Sequence, residues 1–530
     1  TYQTGGVAVN NPAGNKYGDI TGKVFANNKV SGKLTGTSSY NNLYILGGAV
    51  YNAGEIGDIT ADFINNSLTG TEEGSNSLYL RGGAIYNSDT GTIGNITGNF
   101  IGNYTSSTTK TAYTGAISNS GTIGDITGNF IANHTLVNAG AILNGGTINS
   151  ITGDFIGNYT KHSNGVGSWG GTIYNSGTID SIIGDFIGNH IDSYGMGNSA
   201  EGGAIYNSGT INSIIGDFIG NYIQNDDSSS NFMLGGAIRA EGGSMTISGN
   251  FLYNYAVKND TQSIQRHALG GAVYIGEGDN HLIFKSRDQT LFFSGNYTKD
   301  INRGKNYNAI FINTYSGGDS NHIINFDTTG GGAWIINDNI DGADTIMWDM
   351  EGKIDYSSHY TLTFKGDGAL NEDGLTNQYI SINNDIINAG VVIVDATTLR
   401  FGAYQHEDQT ANNWDGHGRF IAALNADGTA DLDAAAVTSL SLNNAAFDLY
   451  NQDTVELAGY KANNRFLHLD VDVENLTADV LKVNGNVEGT TKLVLYPTSG
   501  KDIRGESILF AQSENDTTGN ADSFAVWRVY

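Results

Sequence analysis

One string constrains this chain more than any other property. Gly-Gly-Ala-Ile-Tyr-Asn stands at 82–87 and again at 202–207, with close variants at 47–52, 170–175, 235–240 and 270–275 and weaker copies at 114–119 and 139–144. Anchored on the second glycine, the copies fall at Gly48, Gly83, Gly115, Gly140, Gly171, Gly203, Gly236 and Gly271, with steps of 35, 32, 25, 31, 32, 33 and 35 residues. Gly6 starts an eccentric first copy. A second element, Ile-Thr-Gly-Asp-Phe-Ile-Gly-Asn at 151–158, follows each copy and recurs around Phe25, Phe63, Phe100, Phe130, Phe155, Phe186, Phe218 and Phe251. Three residues after each phenylalanine comes an asparagine: Asn28, Asn66, Asn103, Asn133, Asn158, Asn189, Asn221 and Asn254.

Fixed-period self-similarity of this kind marks a repeat architecture. Helix is excluded, because no segment holds an apolar pattern at helical spacing and each glycine would cost a helix about 1 kcal/mol relative to alanine. Two-residue alternation puts Ile126, Gly128 and Phe130 on one face of an extended chain, and Asn-Ser-Gly at 119–121, 175–177 and 207–209 supplies a turn. A unit of roughly 25–35 residues cannot bury its apolar face alone, so copies must stack, and short strands stacked in register make a parallel β-solenoid with rungs about 4.8 Å apart. Propeller blades, the competing architecture, need about 40–50 residues each. The FxxN asparagines are expected at corners, where Asn tolerates positive φ and hydrogen-bonds its neighbours in the stack.

Composition narrows the function. The chain has 530 residues, 74 glycines and only 2 prolines, the profile of a turn-rich folded protein and not of a disordered glycine-rich one. Its net charge of −28 opposes binding to nucleic acid. With no cysteine, disulfides, thiol catalysis and Cys-based metal sites are excluded. No apolar run is long enough for a membrane helix, and the first residues lack the features of a signal peptide. The chain therefore reads as needing no targeting or as a piece of a longer precursor.

The alternation of GGA[ILV] with FxxN over about residues 47–254 resembles the chlamydial polymorphic membrane proteins and related autotransporters (type V secretion). Ala478-Asp-Val-Leu-Lys-Val-Asn-Gly-Asn-Val-Glu-Gly-Thr-Thr-Lys-Leu-Val-Leu495 and the closing Ala521-Asp-Ser-Phe-Ala-Val-Trp-Arg-Val-Tyr530 look like the pertactin-type end of such passengers. The resemblance implies an elongated, right-handed parallel β-helix with irregular inserts. Residues 1–465 would be the passenger helix, with regular repeats over about 47–275, and 466–530 its C-terminal capping segment, which helps nucleate folding outside the cell. It also implies an outer-membrane β-barrel translocator in the precursor, a place on the bacterial surface or outside the cell, and a reason for the missing cysteines, since disulfides hinder secretion. Between about 255 and 465 the signature fades into irregular alternation such as Val391-Val-Ile-Val.

No residue set commands a catalytic reading, and no cofactor or metal is expected. Gly165-Val-Gly-Ser-Trp-Gly170 matches GxGxxG, but no helix follows to hold a pyrophosphate. Gly318-Asp-Ser-Asn321 lacks a base and its orienting acid. His406, Glu407, Asp408, Asp415 and His417 form the densest titratable cluster; their spacing fits no ligand motif, and the Asn-, Gln- and Gly-rich setting predicts a solvated loop. Glu72-Glu73 and Asp226-Asp227 lack a basic partner within their own repeats, which weakens the alternative reading of a polysaccharide lyase or hydrolase on a β-helix scaffold. Asn-x-Ser/Thr at Asn103, Asn133, Asn158, Asn296 and Asn475 is read as structural, because three of the five are FxxN asparagines.

The repeats vary most at 67–81, 104–113, 159–169, 190–201 and 222–234, always between an FxxN and the next GGA, so stacking predicts one continuous insert face. Tyr79, Tyr113, Trp169, Tyr194 and Phe232 are its aromatic candidates for a ligand or self-association surface, against the plainer reading that each packs on a neighbouring insert. The function expected is adhesion or cell–cell aggregation, with a host-cell glycan or protein, or the same protein on another cell, as partner.

Overall fold

A computed structural model describes residues 2–530 apart from 35–41, 73–76, 108–111, 164–166, 195–198, 226–231, 260–266, 301–303, 315–321, 346–353, 369, 373–374, 408–416, 426–429, 450–453, 501–506 and 515–522. The chain forms a parallel β-helix, and no helix occurs among the described residues. It divides into two compact units, Thr1–Asn280 with Asn296–Asn306 and Met347–Gly352, and His281–Gly295 with Tyr307–Ile346 and Lys353–Tyr530.

In the first unit each repeat is one coil. A GGA strand such as Ile173–Asn175 turns into Thr178–Ile183 and then Phe186–Ile187; an outgoing arm, His190–Tyr194, leaves, and an incoming arm, Ala200–Glu201, returns to the next Gly-Gly. Arms and strands pair in parallel with their counterparts one coil away, and at the inward positions of the motif strands identical residues face each other: Ile173 on Ile205, Ile179 on Ile211, Phe186 on Phe218. Strict stacking turns each inward position into a column. Ile59, Ile96, Ile126, Ile151, Ile182 and Ile214 are fully buried, and so is the phenylalanine column from Phe63 to Phe251. Its rings stack at centroid separations of 4.6–5.0 Å.

The Gly-Gly pair has a steric cause. The first glycine of each pair turns the chain at positive φ, +70° at Gly202. The second has no room for a side chain: a Cβ on Gly203 would lie 2.0 Å from the Gly236 carbonyl oxygen and 2.6 Å from that of Tyr222. Close backbone approach of this kind is what glycine permits.

Two asparagine columns run through this unit. In the FxxN column, Asn158 Nδ2 donates to the Phe130 carbonyl (2.8 Å) and to Asn189 Oδ1 (3.1 Å), while its own Oδ1 accepts both the backbone N–H and Nδ2 of Asn133 (3.0 Å each). The pattern runs unbroken from Asn66 through Asn103, Asn133, Asn158, Asn189 and Asn221 to Asn254. Both amide hydrogens and both lone pairs are used, so these fully buried groups carry no unmet polar demand. Positive φ is not their role: the residue before them takes it, as at Asn65, Gly102, Ala132, Gly157, Gly188, Gly220 and Tyr253. The asparagine points inward to bond, and its predecessor makes the corner. A second column, Asn52, Asn87, Asn119, Asn144, Asn175 and Asn207, ends the GGA strands and is linked side chain to side chain at 2.7–2.9 Å.

The second unit is built the same way without the motifs. Leu282, Ile324, Leu362, Val392, Leu440, Tyr460 and Val487 form one buried column across successive parallel strands, and Leu291, Trp334, Ile380, Leu399, Phe447 and Leu467 a second. Trp334 is fully buried and donates its indole N–H to the Phe284 carbonyl at 3.0 Å. The last strand, Phe524–Val529, pairs in parallel with Val487–Pro497, and Val526, Trp527 and Val529 on it are exposed.

His468 gives this unit an acid sensitivity. Burial, with a smaller push from the Arg400 guanidinium, lowers its imidazole to about 4 from an ordinary 6.5. A folded value below the unfolded one means that stability is complete above pH 6.5 and falls as pH drops from 6.5 to 4, by about 3 kcal/mol in all. Urea unfolding of the chain between pH 7.5 and 4 should show this loss, and His468→Gln should remove most of that slope.

Candidate functional site

Each insert begins and ends in register with its neighbours. The outgoing arms Tyr159–Ser163, His190–Tyr194, Tyr222–Asn225 and Tyr255–Lys258 pair in succession, and the incoming arms Ser168–Trp169, Ala200–Glu201, Met233–Leu234 and Ala268–Leu269 do likewise. Between these arms lies a thin apolar layer of Ile191, Ile223 and Ala256 against Ala200, Met233 and Ala268. The bases of the inserts therefore share one side of the unit.

The aromatic candidates do not make one surface there. Tyr79, Trp169 and Phe232 belong to the incoming side and Tyr194 to an outgoing arm. Phe232 is only 6% exposed, which removes it from any contact surface. Tyr79 stacks on Tyr44 at 4.8 Å and on Tyr113 at 6.4 Å, so neighbours occupy both ring faces; Arg81 lies 5.7 Å from the Tyr113 ring. The Lys161 ammonium sits 5.5 Å from the centre of Tyr194. Trp169 is half-buried, with its backbone N–H donated to Asn138 Oδ1 at 3.3 Å. Stacked neighbours thus take up Tyr79 and Tyr113, leaving Trp169 and Tyr194 partly open.

A longer aromatic feature lies where the sequence reading placed no candidate. Directly after the FxxN asparagines, Tyr104, His134, Tyr159, His190, Tyr222, Tyr255 and Tyr297 form a seven-ring stack with centroid separations of 4.5–5.1 Å. The rings are half-buried and their planes nearly parallel, so faces are covered and rims turn outward. Burial lowers His134 and His190, whose Nδ1 atoms lie 3.3 and 3.1 Å from the carbonyls of Ala132 and Gly188, and both are neutral at pH 7. The signal was present in sequence: an aromatic ring follows the FxxN asparagine in seven successive coils.

The titratable cluster resolves differently from the solvated loop expected. His406 is buried, its Nε2 3.0 Å from Asp338 Oδ1 and 3.1 Å from the Asn337 carbonyl, with Tyr307 stacked on its ring. Glu407 is exposed, His417 is half-buried, and Asp408 and Asp415 lie outside the described residues. Among the described residues no group of three or more His, Asp or Glu could hold a metal. Gly318–Asn321, Asp226-Asp227, Glu73 and positions 165–166 of the GxGxxG match also fall outside the described residues; within the rest of that match, Ser168–Trp169 is a strand leading into Gly-Gly.

One carboxylate set does assemble across coils. Arg239 is buried with its Nε 3.3 Å from Glu201 Oε2, its Nη2 on Glu241 and its guanidinium 4.3 Å from the Tyr274 ring centre. Burial pushes the Glu241 carboxyl up, to about 7, against the pull of Arg239. Both carboxylates engage one guanidinium, an arrangement suited to holding coils together. No family model matches the chain, and no curated protein and no solved structure matches it either.

Proposed function

We propose that this chain is the passenger of a bacterial autotransporter that acts at the cell surface, or after release, as an adhesin or aggregation factor. The observation that carries the reading is the register of the insert arms: the segments that vary most between repeats rise side by side from one flank of a regular scaffold. A scaffold of this kind presents many weak contacts at fixed spacing, and their sum along the length supplies avidity that no single contact has. The partner is a glycan or protein on a host cell, or the same chain on a neighbouring bacterium. The strong acidic balance sets this surface apart from one that binds nucleic acid.

The test couples the purified chain to fluorescent beads and scores clumping and attachment to epithelial cells, against beads carrying an unrelated acidic protein. Saturable attachment, or clumping that salt weakens, is expected. Beads that behave like the control in both assays would sink the proposal.

A further inference from the structure

The corner that the FxxN motif builds has a chemically uniform outer surface. Its outward positions in the first unit form four columns. The first is Asn99, Asn129, Asp154, Asp185, Asp217 and Asn250; the second Ile101, Ile131, Ile156, Ile187, Ile219 and Leu252. The third is Gly102, Ala132, Gly157, Gly188, Gly220 and Tyr253, and the fourth is the Tyr/His stack. From the second column to the fourth no side chain is charged at pH 7 over six coils, in a chain whose net charge is −28. At Gly157, Gly188 and Gly220 a side chain would meet nothing within 4 Å, so the third column is an open shelf between an isoleucine wall and a row of aromatic rims.

The first column borders this shelf with directed acceptors. Asp154, Asp185 and Asp217 each accept the backbone N–H of the next coil on Oδ1, at 3.0, 2.8 and 2.7 Å. That bond fixes each carboxylate and leaves its Oδ2 for a donor from outside. Across the shelf stand phenol hydroxyls and the imidazole Nε2 of His134, while the Nε2 of His190 lies 3.8 Å from Asp192 Oδ2; the Nδ1 atoms of both histidines face backbone carbonyls. Acceptors on one edge, mixed donors and acceptors on the other, and aliphatic carbon between them match an apolar ring bearing equatorial hydroxyls.

Resting on the adhesin reading and naming its partner, we infer that this strip binds an extended, uncharged polysaccharide lying along the stack, about one sugar per coil. The strand spacing of about 4.8 Å is comparable to the advance of an extended pyranose chain per residue. C–H groups of the sugar pack on the isoleucine wall and the shelf, hydroxyls donate to the aspartates, and phenols bond the opposite edge. Charge selects the class. An anionic glycan, or a second copy of this acidic chain with its own aspartate column, would bring like charges against Asp154, Asp185 and Asp217.

The experiment titrates the full chain calorimetrically with cellotriose, cellohexaose and mannohexaose, with a heparin hexasaccharide as the anionic control. At least one neutral hexasaccharide should bind, more tightly than the trisaccharide, and heparin should not. Asp154→Asn/Asp185→Asn/Asp217→Asn should weaken that binding roughly tenfold or more, the loss of charge-assisted hydrogen bonds. Gly188→Tyr, which fills the shelf, should abolish it. Both variants copy residues the same columns already hold at Asn99, Asn129, Asn250 and Tyr253, so the coil accommodates them; unchanged circular dichroism confirms it, with melting of Gly188→Tyr lowered only by the positive-φ strain at that position. The inference is overturned if no neutral hexasaccharide binds, if heparin binds as well, or if the variants bind like the parent. Beads that still attach to cells in any of those cases leave the adhesin reading standing; hexasaccharide binding without bead attachment has the reverse meaning.

Discussion

Asn158→Ala should destabilise the first unit by on the order of 4 kcal/mol, one of the two largest effects expected of any single substitution in the chain. The reason is the number of partners left behind. Removing this amide strands the Asn133 backbone N–H, one Asn133 Nδ2 hydrogen and the Phe130 carbonyl inside the coil stack, while the Asn189 Oδ1 keeps only the backbone N–H of residue 158. Each buried group without a partner costs roughly 1–3 kcal/mol, and alanine leaves too small a space to water all three. Asn212→Ala is the matched control: Asn212 makes one exposed bond, to Asp180 at 2.8 Å, and its loss should stay within about 0.5 kcal/mol. Urea denaturation of both variants decides. Equal midpoints would mean that the column is ornamental.

Gly203→Ala should be about as damaging, for a steric reason. Its Cβ would meet backbone on two sides, the carbonyl oxygens of Gly236 and Tyr222, and neither can rotate away as a side chain would. Relief requires the coils to part, breaking the register of Ile205 on Ile238 and of Tyr222 on Tyr255. Overpacking of this kind costs about 3 kcal/mol or more. Hydrogen exchange should show the damage as lost protection in Ile205–Asn207 and Tyr222–Asn225. Gly188→Ala is the contrast: open space surrounds Gly188, and only the strain of positive φ, about 1 kcal/mol, opposes a side chain there. A Gly203→Ala variant as stable as Gly188→Ala would refute the steric account of the Gly-Gly motif.

These contrasts show where sequence is informative. Stacking identical residues on identical residues makes a column visible as a repeat, which is why the Ile, Phe and FxxN columns and the parallel solenoid were legible. The second asparagine column was equally periodic, four residues after each second glycine from Gly48 to Gly203, yet Asn-Ser-Gly reads as a turn and its buried side-chain ladder went unrecognised. Ring orientation is a different matter. An aromatic in a polar insert says nothing about whether its faces are free, and stacking on Tyr44 and Tyr113 settles that for Tyr79. His406 sits in a polar, glycine-containing stretch that looks solvated, but its burial comes from Asp338 and Tyr307, far away in sequence. The second unit shows the limit from the other side: Leu, Ile, Val and Tyr interchange freely in its columns, so packing survives while the motif vanishes.

The FxxN ladder also has a direction. In every coil Nδ2 reaches forward to the Oδ1 of the following coil and back to the phenylalanine carbonyl of the preceding one, and the reverse arrangement never occurs between Asn66 and Asn254. A stack interrupted after any coil would therefore end in two waiting donors, the backbone N–H and Nδ2 of its last asparagine, held at the spacing that the next asparagine oxygen needs. The finished portion acts as a template for the portion still to come. At the opposite end the Oδ1 of the first asparagine waits for the same two donors, so the column can be extended from either side, and its polarity fixes the sense in which one coil seats on the next.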